Sequence, residues 1–265
     1  MDIKMNFDEY IEPVTVGNYS VRLLENNREL RQYQDLRYKH LILAFDPEKA
    51  KNADINTTDD NIGYDRDTSQ LCVFYNNPKT NEQEIVGGYI LMHFKKEDAF
   101  CKATLKYDLS RLFKDHKYEV LEVTRAVTNP AHRNPIVIAL LWEGMKKYMK
   151  KYNLHYIIGT MSFHGTDPLA YNDAASYLYH YYRMPEEFMV CPIDTENAYY
   201  HEIIPKENLN RDAAINQLPP LLKAFLKLGC EVCTGFYIDY DLKTVETLAF
   251  LDMQKSQEYG KYPLK

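Results

Sequence analysis

This chain of 265 residues is short of several things, and each shortage excludes a class of protein. No apolar run approaches the ~20 residues that cross a bilayer as a helix, so membrane contact, where it exists, is peripheral. Positive charge is not in excess. Thirty-two Lys and Arg stand against 38 Asp and Glu, for a net charge of −6, which argues against wholesale nucleic-acid binding. The five cysteines are odd in number and scattered, and the opening Met1-Asp2-Ile3-Lys4 is polar, unlike a secretory signal. A reduced, cytoplasmic protein, peripheral at the inner face of the membrane if it meets one, is the expectation. Tryptophan occurs once against 23 tyrosines. What remains is ordinary: 45% hydrophobic and 26% charged residues, enough for one large domain with a sizeable core.

The periodicities alternate between two and 3.6. Tyr19 to Leu24 reads as a strand, and Asn27 to Leu43 as a helix with Leu30, Gln34, Arg37 and Leu41 at helical spacing. The polar, Asp-rich run from Asp46 to Thr68 reads as a long loop. Gln70 to Tyr75 and Ile85 to Phe94 are strands joined by a turn-like Asn-Asn-Pro-Lys-Thr-Asn. A charged connector, 95–118, holds one amphipathic piece from Leu105 to Phe113. Leu121 to Thr128 is a strand. Ile136 to Tyr152 is an amphipathic helix whose expected inward stripe is Ile138, Leu141/Trp142, Met145, Tyr148/Met149 and Tyr152. Tyr156 to Phe163 is a strand, and Pro168 to Tyr182 is helical. Leu218 to Leu228 is a helix with Pro at its start and Gly229 past its end, and Glu231 to Ile238 and Thr247 to Met253 are late strands. The order is that of a mixed α/β fold, a central sheet flanked by helices.

Several residues carry chemistry. Arg133-Asn134-Pro135 places a helix start directly after a strand, with Asn134 as N-cap and Pro135 in the first turn. Free amides there bind anions, and His132 and Arg133 add positive charge, although an ordinary capped helix gives the same pattern. Lys146, Lys147, Lys150 and Lys151 share one helix face that Lys223 and Lys227 extend; this is a docking patch for an acidic partner or a solvated face. Glu122 and Arg125 stand three apart on a strand and point to opposite faces unless a bulge intervenes. Ser162, His164 and Asp167 crowd into six residues without a nucleophile elbow, a poor triad. Cys230 and Cys233 form a CxxC with no second pair nearby, which reads as buried thiols, and no metal site is expected.

The runs Leu121-Glu122-Val123-Thr124-Arg125-Ala126-Val127, Asn129-Pro130-Ala131-His132-Arg133-Asn134-Pro135 and Leu218-Pro219-Pro220-Leu221-Leu222-Lys223, with Ile238-Asp239-Tyr240-Asp241 closing, together resemble the bacterial ornithine lipid synthases. These are a branch of the Gcn5-related N-acyltransferase superfamily related to the acyl-homoserine lactone synthases. The resemblance, over about residues 20 to 253, implies the superfamily's α/β fold: an N-terminal segment 1–18, an acyltransferase core 19–190 and a C-terminal extension 191–265. It implies transfer of a long fatty acyl chain, with or without a 3-hydroxyl, from an acyl carrier protein thioester to the α-amine of an amino acid, by direct attack and with no bound cofactor beyond the donor's acyl-phosphopantetheine.

In that light Glu122 takes the proton of the substrate ammonium, Arg125 binds a carboxylate or holds the loop, and the backbone N–H groups near Ala126 and Val127 polarise the thioester carbonyl. A structural Glu–Arg ion pair is the alternative. Arg37 matches the family's first-helix arginine, and Asp60 and Asp65 its acidic stretch, as binders of the amino acid's carboxylate and ammonium, although Ile62 replaces an acid there and a solvated acidic loop remains open. The superfamily holds the pyrophosphate of coenzyme A at the strand–helix junction on a Gly-rich loop. The loop here has no glycine, which favours a phosphopantetheine arm delivered by a carrier protein, contacted by His132, Arg133, Asn134, Lys146, Lys147, Lys150 and Lys223. An acyl-homoserine lactone synthase, a coenzyme A-dependent amine acyltransferase and a non-catalytic acyl- or carrier-binding module are the alternatives.

Overall fold

The computed structural model describes residues 7–45, 68–94, 101–193 and 196–259. In chain order the strands and helices are β1 (Val14–Val16), β2 (Tyr19–Leu23), α1 (Asn27–Arg37), β3 (Ser69–Asn76), β4 (Gln83–His93), β5 (Tyr107–Asp108), α2 (Ser110–His116), β6 (Val120–Thr128), α3 (Pro135–Tyr152), β7 (Tyr156–His164), α4 (Asn172–Tyr182), β8 (Cys191–Pro192), β9 (Ala198–Tyr199), α5 (Arg211–Gln217), α6 (Pro220–Lys227), β10 (Glu231–Val232), β11 (Phe236–Asp239), β12 (Thr244–Asp252) and α7 (Met253–Tyr259). The described residues fall into two compact units. One holds the chain up to Phe94 plus Val123–Leu154, and the other holds Cys101–Glu122 and everything from His155 on, so β6 passes from the second into the first.

In the first unit β1, β2, β3 and β4 pair antiparallel in sequence, and β6 follows β4 in strand order. Successive side chains on β3 serve opposite faces. Cys72 and Phe74 meet Leu30, Tyr33 and Leu36 of α1, while Leu71 meets α3. Gly144 makes that second contact work: a Cβ there would lie 2.8 Å from Leu71 Cδ1 and 2.9 Å from Val21 Cγ2. The buried stripe of α3 is Val137, Leu140/Leu141, Gly144/Met145 and Tyr148/Met149. The expected stripe therefore holds at Leu141, Met145, Tyr148 and Met149, is only half-buried at Trp142 and Tyr152, and fails at Ile138, which is 49% exposed because Val137 takes the inward position of the first turn. Asn153 ends α3 in the left-handed conformation (φ +53), a role asparagine shares with glycine. Beyond Arg37 the first helix continues as a π-helical turn, Tyr38–Ile42, and a last turn, Leu43–Phe45.

In the second unit β7 pairs parallel with Val120–Glu122 of β6 and antiparallel, along all its length, with β12. β11 and β9 continue from β12, and β10 pairs with it as well. The run 231–238 was expected as one strand and is two, because Gly235 (φ +87) turns the chain where a Cβ would sit 2.7 Å from the Tyr200 ring. The piece 105–113 is likewise split, into β5 and the start of α2. α5 was not anticipated; Asn210 caps it by accepting from Ala213 N–H. Among the described residues no helix is long and apolar enough to cross a membrane.

Candidate active site

The β6–β7 ladder has three pairs, the last being Glu122↔Ile158. Glu122 is buried (3% exposed), and its Oε2 accepts from Cys101 Sγ–H at 3.1 Å and from Lys102 N–H at 2.7 Å. Burial pushes this carboxyl above its ordinary range, against the pull of the Cys101 and backbone N–H donors. Burial, with Glu122 beside it, pushes the Cys101 thiol up as well, so it stays a neutral donor.

Past Glu122 the strand changes character. Val123, Thr124, Arg125 and Ala126 are all half-exposed, between buried Glu122 and buried Val127, where a regular strand would alternate. Arg125 has φ +53, a conformation that side chains other than glycine rarely adopt. Tyr33 Oη donates to its carbonyl at 3.2 Å, so α1 holds the kink. The strand thus carries the irregularity that lets residues three apart escape simple alternation. Ala126 and Val127 follow directly.

The junction between β6 and α3 departs from expectation. Asn134 Oδ1 accepts from Ile136 N–H (2.9 Å) and Val137 N–H (3.2 Å), Pro135 has no N–H, and Asn134 N–H donates to the His132 carbonyl at 2.8 Å. Upstream, Asn129 N–H goes to Val86 O, Ala131 N–H to Asn129 Oδ1, His132 N–H to Asn129 O and Arg133 N–H to Pro130 O. The expected open amides are therefore already taken within the chain, from 129 to 137. His132 sits over a row formed by Tyr19, Tyr75 and Glu84 on adjacent strands: its ring lies 4.8 Å from that of Tyr75, its Nδ1 is 3.1 Å from Tyr19 Oη, and its Nε2 is 3.2 Å from Glu84 Oε1. Arg133 is exposed. The glycine absent from the loop has a counterpart beneath it. At Gly87 on β4 a Cβ would lie 3.0 Å from Val137 Cγ1 and 3.2 Å from the Val127 carbonyl, so glycine there lets strand and helix start close up.

The other expected residues are dispersed. Arg37 is fully buried in the last turn of α1, its guanidinium 4.8 Å from the Tyr33 ring centroid. Asp60 and Asp65, its expected companions, lie outside the described residues. The lysine face is partly spent on the first unit itself: Lys146 pairs with Glu143, Lys147 reaches the Glu12 carbonyl and carboxylate, and Lys151 donates to the Tyr10 carbonyl at 2.6 Å. Lys147 and Lys151 strap the N-terminal segment to α3. Lys150 is exposed, and Lys223 is half-exposed on α6 of the second unit. Ser162 Oγ goes to Glu246, and Asp167 caps the following turn through Leu169 N–H, so the two do not form a triad. Cys230 and Cys233 are buried free thiols; burial pushes Cys230 up and Cys233 to about 11.

One cluster escaped the sequence. Lys106 Nζ lies 2.5 Å from Asp239 Oδ2 and 2.6 Å from Glu246 Oε2, while Glu246 Oε1 accepts from Ser162 and Thr244 hydroxyls. Tyr107 Oη donates to the Glu246 carbonyl. Glu246 pairs with Ser162 and Glu122 with Ile158, so by alternation both acids project from one face of the second unit's sheet. Segment 101–107 lies across that face, held by Glu122 at its start and by Glu246 at its end. No local pattern marks Cys101 or Lys106, which lie 21 and 140 residues from their partners.

The model of an acetyltransferase (GNAT) domain matches residues 36–143. The L-ornithine N(alpha)-acyltransferase of Brucella abortus is 28% identical over 255 residues, 93% of this chain and 89% of that one. The enzyme of the same name from Rhodobacter capsulatus is 26% identical over 253 residues, 91% and 92% of the two chains. Among solved structures, FeeM, an N-acyl amino acid synthase from uncultured soil microbes, superposes with a TM-score of 0.51 at 7% identity, over 94% of this chain and 97% of its own. That likeness speaks for the fold. The chain has the GNAT fold and is an acyltransferase, similar along nine tenths of its length to L-ornithine N(alpha)-acyltransferases.

Proposed function

We propose that this enzyme moves a long fatty acyl chain, with or without a 3-hydroxyl, from the phosphopantetheine thioester of an acyl carrier protein to the α-amine of an amino acid. The product is an N-acyl amino acid or an aminolipid precursor. The observation that carries the reading is the sequence of environments along β6: a buried carboxyl with a raised pKa at Glu122, then a half-exposed, kinked stretch around Arg125. Amide formation from a thioester needs a neutral amine, and a carboxyl titrating above the ordinary range is suited to take the ammonium proton, directly or through water. The amine then attacks the thioester carbonyl, the C–N bond forms as the C–S bond breaks, and the thiolate leaves and takes up a proton. Backbone N–H groups at Ala126 and Val127 stabilise the oxyanion, and Arg125 holds a carboxylate or the loop.

The relatives' names support an amino acid acceptor; Arg37, Asp60 and Asp65 are its binders in this proposal. The closed amides of 129–137 support a donor read through side chains such as Arg133, with His132, Asn134, Lys146, Lys147, Lys150 and Lys223 on the donor side, rather than through a pyrophosphate cradle. The pure protein incubated with 3-hydroxypalmitoyl carrier protein and a pool of all amino acids is expected to give one dominant N-acyl amino acid by mass spectrometry. An intact donor thioester, with a donor preparation competent for a known relative, overturns the proposal.

A further inference from the structure

A chain of hydrogen bonds runs from the sheet of the first unit to the first turn of α3. Asn134 Nδ2–H donates to Tyr19 Oη at 3.3 Å, and Tyr19 Oη lies 3.1 Å from His132 Nδ1. With Nδ1 as acceptor, neutral His132 carries its proton on Nε2, which faces Glu84 Oε1 at 3.2 Å. The result is an Asn134 amide that cannot flip: its nitrogen is committed to Tyr19, and its oxygen is held over Ile136 N–H and Val137 N–H. Those two amides, with the positive end of the helix dipole, are the groups a second phosphate would need.

We infer that Asn134, locked by the Tyr19–His132–Glu84 relay, is a specificity determinant that excludes the diphosphate of coenzyme A from the start of α3 and leaves room only for a single phosphate reached by exposed side chains such as Arg133. Tyr19, His132 and Glu84 are positioning residues in this scheme. In this respect they act through Asn134. The inference rests on the proposed function in one respect, that the donor's phosphate end approaches this junction.

The test uses the full-length enzyme and one acyl chain on two carriers, coenzyme A and acyl carrier protein. Asn134→Gly removes the plug yet keeps a serviceable N-cap, since glycine costs a capped helix only a few tenths of a kcal/mol. It is expected to raise kcat/KM for acyl-coenzyme A relative to acyl carrier protein by roughly tenfold, the worth of one charge-assisted hydrogen bond. Tyr19→Phe and His132→Ala, which free the Asn134 amide, shift the ratio the same way by less. Asn134→Asp, which keeps the cap and adds a negative charge, shifts it the other way. A second readout needs no turnover: calorimetric titration with free coenzyme A is expected to show tighter binding to Asn134→Gly than to wild type. An unchanged ratio and unchanged coenzyme A affinity in a folded Asn134→Gly overturn the inference. A wild type inert toward both donors overturns the proposed function instead, and the coenzyme A titration still decides on the relay.

Discussion

Glu122 and Glu246 are two buried carboxylates on one face of the second unit's sheet, yet their surroundings differ in kind. Glu246 is 2% exposed and is met by an ammonium: Lys106 touches it and Asp239, and two hydroxyls fill its other oxygen. Burial works against the Lys106 charge, but the two acids outweigh it and hold the group above its ordinary range. Glu122 is 3% exposed and receives hydrogen bonds from a thiol and backbone amides, none of which brings a full charge. A buried acid matched by a cation keeps its charge and ties the structure together. A buried acid given neutral donors sits with its proton affinity raised, ready to exchange a proton with a ligand. At equal depth of burial the charge of the donors differs, and the proposed role of Glu122 as the base rests on that difference.

The sharpest break of this contrast is a pair of isosteric changes. Glu122→Gln is expected to lower kcat by about 100-fold or more, the scale of a lost general base, with the melting midpoint little changed. Glu246→Gln, which leaves Lys106 to Asp239 alone, is expected to cost about 2 kcal/mol of stability, or roughly 6 °C in midpoint, while the folded fraction keeps most of its turnover. Equal losses of activity in the two variants would erase the distinction. The next measurement is the pH profile. With Glu122 as base its proton must be off, so kcat/KM rises with pH through an acid limb lying above the ordinary glutamate value of 4.5, and Glu122→Gln lacks that limb. An acid limb at or below 4.5 in the wild type contradicts the raised carboxyl.

Smaller is the effect of Cys101→Ala. The thiol lowers the Glu122 pKa, so its removal moves the acid limb to higher pH while the plateau rate stays the same. Smallest is a stability effect. A carboxyl raised in the folded state contributes stability below its unfolded pKa and loses it as the pH climbs through the folded value. Wild type is therefore expected to lose stability above pH ~4.5 relative to Glu122→Gln, by a gap that widens with pH in denaturant titrations. A constant gap leaves Glu122 outside this linkage.

Much of the architecture was legible. Strands around Val73, Tyr89, Val123 and Ile158 and the helix capped by Asn134-Pro135 follow from period and punctuation, because one face of each element is buried and alternation or helical spacing shows it. The long helix departs most at Ile138, where two apolar neighbours compete for one inward slot and packing chooses Val137. The late strand was misread at Gly235, whose turn depends on a close approach by Tyr200 from 35 residues away in sequence. Asn134 was legible as a cap, but its cap leaves no amide open, and that depends on Tyr19 and Glu84, which sequence places 115 and 50 residues away.

The sequence by itself determined the order of strands and helices, the position of Glu122 and Arg125 on one strand, and the resemblance to amino acid acyltransferases. Each of these is local or a matter of pattern. Only the tertiary structure decided what surrounds them: that neutral donors from Cys101 and Lys102 meet Glu122 while Lys106 goes to Glu246, that the strand kinks at Arg125 under Tyr33, and that the start of α3 is closed. Proton affinity and ligand access arise from burial and from partners distant in sequence, and chain order does not encode either one locally.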